Sequence, residues 1–274
     1  MLAGLSALAV TPLSGCGGQQ DARPAPGYAP SYGYAPYAPA GDGPAVAGLN
    51  AVIDISHSSR VDDFTTVRSG GILAVLHKAT EGGDWADPLY AWRREQARAG
   101  GLLWGAYHFG TRQYPGAQQA VAFLAVARPD AATVLALDLE PNERRPGNTM
   151  TIDQAEEFVR AVYQATGRLP LIYLHPSWAD GDSYGRAGLT LGRPIGAGSI
   201  LARCDLWLAD YHEGPTLPSA WAGRGWQFWQ YAGDNASGGP YGEMARSVPG
   251  VNHCDRNLFR GDEAALYRYW NGRA

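Results

Sequence analysis

Thr133-Val134-Leu135-Ala136-Leu137-Asp138-Leu139-Glu140 is the stretch on which the fold and its chemistry turn. In an extended strand successive side chains alternate between two faces. Leu135, Leu137 and Leu139 therefore share one face, while Val134, Ala136, Asp138 and Glu140 share the other. The leucine face suits a layer of covering helices, which leaves the carboxyl-bearing face pointing into the middle of a barrel. Carboxyls at i and i+2 stand on Cα atoms about 6.6 Å apart, given a rise of ~3.3 Å per residue. At that spacing each negative charge disfavours the other, so one carboxyl keeps its proton to higher pH, as a general acid must. Acidic residues at strand ends also cap loops or pair with arginine, so the catalytic reading depends on what the other strands carry.

Working outward, short apolar runs at 51–56, 72–79, 102–109, 133–140, 170–175, 205–211, 226–231 and 251–255 read as eight strands. In the first half they alternate with helices expected at 62–69, 86–99, 115–127 and 151–166, the last with Thr151 as its N-cap. Such alternation argues for a parallel sheet, and eight strands within residues 48–274 fit a (β/α)₈ barrel. Pro176, Pro194 and frequent glycines break up 176–200, so the expected fold is α/β, an irregular TIM-like barrel with few helices in its second half. Most of these strands end in ionisable or polar residues: Asp54 and Ser56, Lys78 and Glu81, His108, His175, Asp210, Gln230 and Asp255. Together they imply a polar basin at one barrel mouth, with Trp207, Tyr211, Trp226, Trp229 and Tyr231 on the later strands of the same rim.

Composition narrows the function. The chain of 274 residues is 45% hydrophobic and 18% charged, enough for a sizeable core. A net charge of −4 without a basic run gives nucleic acid phosphates nothing to bind. The 36 Gly, 19 Pro, 15 Tyr and 9 Trp suit a loop-rich scaffold with an aromatic-lined groove, the kind of surface that accepts sugars. Six scattered His, with no His-Glu-x-x-His, Cys-x-x-Cys or phosphate-cradling glycine pattern, lead to the expectation of no metal and no cofactor. Gly181-Asp182-Ser183-Tyr184-Gly185 fits the spacing of a serine nucleophile elbow but lacks the strand before it and the helix after it.

The chain opens with an uncharged apolar run, Met1 to Gly15, ending in Leu13-Ser14-Gly15-Cys16, which resembles a bacterial lipobox. The expected organisation is a signal peptide over 1–16 with Cys16 lipidated, a Tyr/Ala/Pro/Gly-rich linker over 17–47, and a catalytic barrel over 48–274. Tyr-Ala-Pro repeats at Tyr28, Tyr34 and Tyr37 favour extended polyproline II. At ~3.1 Å per residue such a linker could reach about 90 Å. The resulting location is the cell envelope, by lipid anchor (outer membrane or periplasm if there are two membranes) or by secretion. In an oxidising compartment the two remaining cysteines, Cys204 and Cys254, are expected as a disulfide closing a loop of about 50 residues, worth roughly 4 kcal/mol.

Several segments in order resemble the family 25 glycoside hydrolases, lysozymes that cut peptidoglycan: Asp54-Ile55-Ser56-His57, Lys78-Ala79-Thr80-Glu81-Gly82, Gly105-Ala106-Tyr107-His108-Phe109, Asp138-Leu139-Glu140, Leu206-Trp207-Leu208-Ala209-Asp210-Tyr211, Trp229-Gln230-Tyr231 and Asp255-Arg256-Asn257-Leu258-Phe259 with Gly261. The resemblance implies hydrolysis of the β-1,4 bond between N-acetylmuramic acid and N-acetylglucosamine, with Glu140 as general acid/base and Asp138, Asp54 and Asp255 as supporting carboxylates. Its candidate glycan contacts are Lys78, Glu81, Tyr107, His108, Tyr173, Trp207, Asp210, Tyr211 and Gln230. The chain departs from the family at Ser58-Ser59-Arg60, where an aromatic residue followed by Gln-Gly is usual. Because Asp138 and Glu140 lie side by side, the 2-acetamido group of the substrate is the expected nucleophile, with retention of configuration. The partners implied are a glycan strand and, through the anchor, a membrane, with the protein a monomer; a non-catalytic wall-binding protein on the same fold is the alternative.

Overall fold

The computed structural model describes residues 48–233, 236–237 and 248–272. The expected signal segment with Cys16, and the linker over 17–47, lie outside the described residues.

The strands are β1 (Leu49–Ile55), β2 (Ala74–Glu81), β3 (Trp85–Ala86), β4 (Leu103–Phe109), β5 (Thr133–Asp138), β6 (Leu171–Leu174), β7 (Leu206–Ala209), β8 (Phe228–Gly233), β9 (Ala236–Ser237) and β10 (Asp255–Phe259). Eight of them close a barrel in the order β1-β2-β4-β5-β6-β7-β8-β10 and back to β1, while β3 and β9 are short hairpin additions to β2 and β8. The neighbours from β1 through β8 run parallel. β10 runs antiparallel to both β8 and β1, which corrects the expectation of a uniformly parallel sheet. It also corrects the last strand from 251–255 to 255–259. Asp255 thus begins a reversed strand instead of ending a forward one, and either arrangement puts it at the same mouth.

Helices α1 (Phe64–Ser69), α2 (Tyr90–Ala99), α3 (Gly116–Ala127) and α4 (Ile152–Thr166) lie where the periodicity predicts them. Thr151 caps α4 in a reciprocal capping box with Gln154. Among the described residues, only the single turn α5 (Pro176–Ala179) and α6 (Glu263–Asn271) follow, together with short 3₁₀ turns. None of the described helices is long and apolar enough to cross a membrane.

The alternation of β5 sorts its residues as the sequence predicts. Val134 and Ala136 join the apolar filling of the barrel with Val52, Leu76, Leu171 and Phe228. Leu135, Leu137 and Leu139 belong to the outer layer against α3 and α4, beside Phe123, Phe158 and Val162. The unpredicted α6 closes the end of the barrel opposite the β5 carboxylates: Leu266 and Trp270 are buried there, and Trp270 Nε1 donates to the carbonyl of Trp104 near the start of β4 at 2.9 Å. Cys204 and Cys254, the pair expected as a disulfide, are both buried in the outer apolar layer.

The two helices behind β5 meet at Gly116. A Cβ there would stand 1.8 Å from the carbonyl oxygen of Gln154, so only glycine lets α3 lie this close to α4. Gly116→Ala forces the helices apart and should cost about 1–3 kcal/mol, read as a lower urea midpoint with an unchanged slope.

Candidate active site

The C-terminal ends of the forward strands and the start of β10 converge on a cluster of carboxyl groups. Asp54 on β1 and Asp255 on β10 are register partners, so closure of the barrel sets the two acids opposite each other. Asp54 is buried, and its Oδ2 accepts hydrogen bonds from Gln230 Nε2 at 3.0 Å and Asn257 Nδ2 at 2.8 Å. Those two amides are fixed from behind. Gln230 Oε1 accepts from the hydroxyls of Tyr173 at 2.8 Å and Tyr211 at 2.7 Å, and Asn257 Oδ1 accepts from Trp207 Nε1 at 2.6 Å. Burial, followed by the charge of Asp255, pushes the Asp54 carboxyl well above the usual carboxylate range, and the two amide donors only partly oppose this.

Asp138, at the end of β5, is buried, and its Oδ1 has no hydrogen-bond partner. Its pKa is also well above the ordinary value, through burial first, then the neighbouring Glu140, with the Lys78 ammonium pulling the other way. Glu140 lies just past the strand and is half-buried. Tyr107 projects among these groups, its hydroxyl pushed up by burial and by the charges of Asp54, Asp138, Asp255 and Glu140. Its ring meets Trp207 edge-on at 5.9 Å, and Tyr173 does so at 4.8 Å, so the aromatic floor and the acidic lining are one packed unit. Lys78 forms an ion pair with Glu81 at 2.6 Å on the β2 side of the mouth.

Not every expected contact faces this basin. His108 points outward into the helix layer, where its ring stacks on Phe158 at 4.8 Å. Its Nε2 donates to Gln119 Oε1 at 3.1 Å and its Nδ1 accepts from the Thr80 hydroxyl at 2.8 Å, so both ring nitrogens are used inside the protein. Burial brings its pKa down to about 3, making it a neutral packing residue. Asp210 is also diverted: its carboxylate accepts the backbone N–H of His212 at 3.2 Å and of Thr216 at 2.7 Å, and so shapes the loop after β7. His175 accepts the N–H of Ser177 at 3.3 Å and stacks on Tyr184 at 4.0 Å, and burial lowers its pKa to about 4. Asn257 was missing from the expected site residues. Its signal was its place two residues after Asp255, which puts it on the same inward face. Ser183 is exposed in the loop after α5, far from the strand-turn-helix setting a nucleophile elbow needs.

The family model of glycosyl hydrolases family 25 matches residues 53–239, which span the barrel from β1 to β9. The chain belongs to that family. Lysozyme M1 of Streptomyces globisporus is 28% identical over 246 residues, covering 85% of this chain and 75% of its own length. Among solved structures, the bacterial lysozyme from Streptomyces coelicolor superposes with a TM-score of 0.66 at 27% identity, covering 84% of this chain and all of its own. A muramidase from Acremonium alcalophilum gives a TM-score of 0.62 at 29% identity, over 80% of this chain and 98% of its own. This family 25 enzyme is accordingly a glycoside hydrolase.

The raised pKa of Asp138 has a consequence for stability. The folded protein holds a proton there that the unfolded chain releases above the ordinary carboxylate value near 4. The stability this group contributes is therefore complete below about pH 4 and is lost as pH rises through the folded pKa. Asp138→Asn removes that loss. Its melting temperature should match wild type near pH 3 and exceed it increasingly toward pH 7; thermal melts across that range showing a pH-independent difference would contradict the assignment.

Proposed function

We propose that this chain is a lysozyme of the N-acetylmuramidase type, cleaving the β-1,4 bond between N-acetylmuramic acid and N-acetylglucosamine in peptidoglycan with retention of configuration. The observation that carries the mechanism is the buried, unpartnered Oδ1 of Asp138 at the end of β5, next in line to Glu140. A buried acceptor calls for a donor, and the N–H of the substrate's 2-acetamido group is one. With Asp138 holding that N–H, the acetamide carbonyl oxygen attacks C1 while Glu140 gives its proton to the departing glycosidic oxygen. The C1–O bond to the leaving sugar breaks as the ring-closed oxazolinium forms. Glu140, now a carboxylate, takes a proton from water as that water opens the ring at C1 on the original face. The positive charge that develops on the acetamide favours the ionised form of Asp138, which burial otherwise opposes.

Tyr173 and Tyr211, held by Gln230, and Tyr107 and Trp207 give the basin a rigid aromatic wall for the sugar ring. Lys78 and Glu81 supply charged groups at its edge. All these residues come from one chain, so the working unit in this proposal is a monomer. We extend the proposal to anchoring of the enzyme in the cell envelope through lipid on Cys16.

Mass spectrometry of peptidoglycan digests should find muramic acid at every new reducing end; glucosamine ends would overturn the assignment. Glu140→Gln should lower kcat about 10²- to 10⁴-fold with glycan binding retained. NMR of the first-formed reducing sugar should show the β-anomer, and an initial α-anomer would replace the acetamide by a directly activated water. Cys16→Ala should move the protein out of the membrane fraction, and unchanged fractionation would remove the anchor.

A further inference from the structure

We propose that Trp85 and His57 form a second sugar platform on the rim, which takes a pyranose ring of the glycan strand next to the one being cleaved; this rests on the proposed function. Trp85 lies in β3, paired with Glu81 across the hairpin that extends β2 over the mouth. The core tryptophans are fully buried, whereas Trp85 leaves 36% of its surface to solvent. The other strongly exposed tryptophan, Trp92, sits on α2 in the outer helix layer.

Trp85 is also held in place, as a preorganised contact requires. The Lys78 ammonium lies 5.3 Å from its ring centroid, and the His57 ring stands against it at 5.2 Å with a 56° tilt. Lys78 links this platform to the basin, because the same ammonium acts on the charge of Asp138. His57 is fixed in turn by the buried Asp87, whose Oδ2 accepts its backbone N–H at 2.8 Å and lies 3.0 Å from its Nδ1. The loop that carries His57 is clamped from below by Arg93, which donates to the carbonyls of Ser56 at 2.7 Å and Ser59 at 2.6 Å. That loop begins two residues after Asp54, so platform and acids share one stretch of backbone. A partly exposed indole beside a ring nitrogen and an ammonium offers apolar contact to the C–H face of a sugar and polar contact to its hydroxyl edge. Directly after His57 the same loop runs into Ser58-Ser59-Arg60, where the sequence departs from the family's usual first loop.

The test uses an octasaccharide of alternating N-acetylglucosamine and N-acetylmuramic acid. Trp85→Leu should raise KM about 3- to 10-fold with kcat within twofold of wild type, and Trp85→Phe, which keeps a ring, should recover most of the loss. A KM for the Leu variant within twofold of wild type, or a Phe variant no better than Leu, would overturn the platform. A second readout needs no turnover. In Glu140→Gln protein, the indole Nε1–H resonance of Trp85, assigned by its absence from Trp85→Phe, should shift on titration with a β-1,4 tetramer of N-acetylglucosamine. An unmoved Trp85 signal while other indoles shift sinks the platform alone, whereas failure of wild type to cut the octasaccharide sinks the proposed function.

Discussion

A carboxyl group buried beside another is costly, and neutral donors that converge on it lower that cost. Here that convergence is on Asp54 Oδ2, which receives the amides of Gln230 and Asn257. Each amide is tied at its other end to an aromatic side chain, through Tyr173 and Tyr211 on one side and Trp207 on the other. The donors come from β8 and β10 and the acceptor from β1, so this chain of bonds runs across the seam where the barrel closes. Reversal of β10 is part of the same arrangement. It brings Asp255 into register with Asp54 and puts Asn257 two residues further along, on the inward face.

The acidic mouth opposes folding, since Asp54 and Asp138 both take up protons more readily than they would in water. What offsets it lies elsewhere: the apolar filling of the barrel, the leucine face of β5 against α3 and α4, and the aromatic plug of α6. Such a division is usual where a site needs groups that the fold alone would reject.

Where local pattern and tertiary role agreed, the sequence was legible. The leucines of β5 alternate with carboxyls because one face meets helices and the other meets the basin, so period and chemistry carry the same message. Asp138 and Glu140 could be placed at the mouth on that ground, and Asp54 as the polar end of another strand. β10 is hard to read for the opposite reason. Its residues, Asp-Arg-Asn-Leu-Phe, begin with groups that serve the site and the seam, with Arg256 donating to Asn50 at 2.8 Å, and they leave almost no apolar period to read. The nearby Val251 offered a more strand-like residue, but it makes only isolated bridges to Val61 and Val248. His108 and Asp210 show a further limit. Both stand at strand ends, yet which side of the wall a polar group takes depends on partners such as Gln119 and Thr216 that only the folded chain brings near.

The reversed last strand also gives the molecule a direction. β10 carries the chain away from the acids to the far pole, where α6 folds under the barrel and β1 starts, Leu49 lying opposite Phe259. The barrel's first strand therefore begins, and its last strand ends, at the pole farthest from the acids, so one end of the fold carries the chemistry and the other the start and close of the sheet.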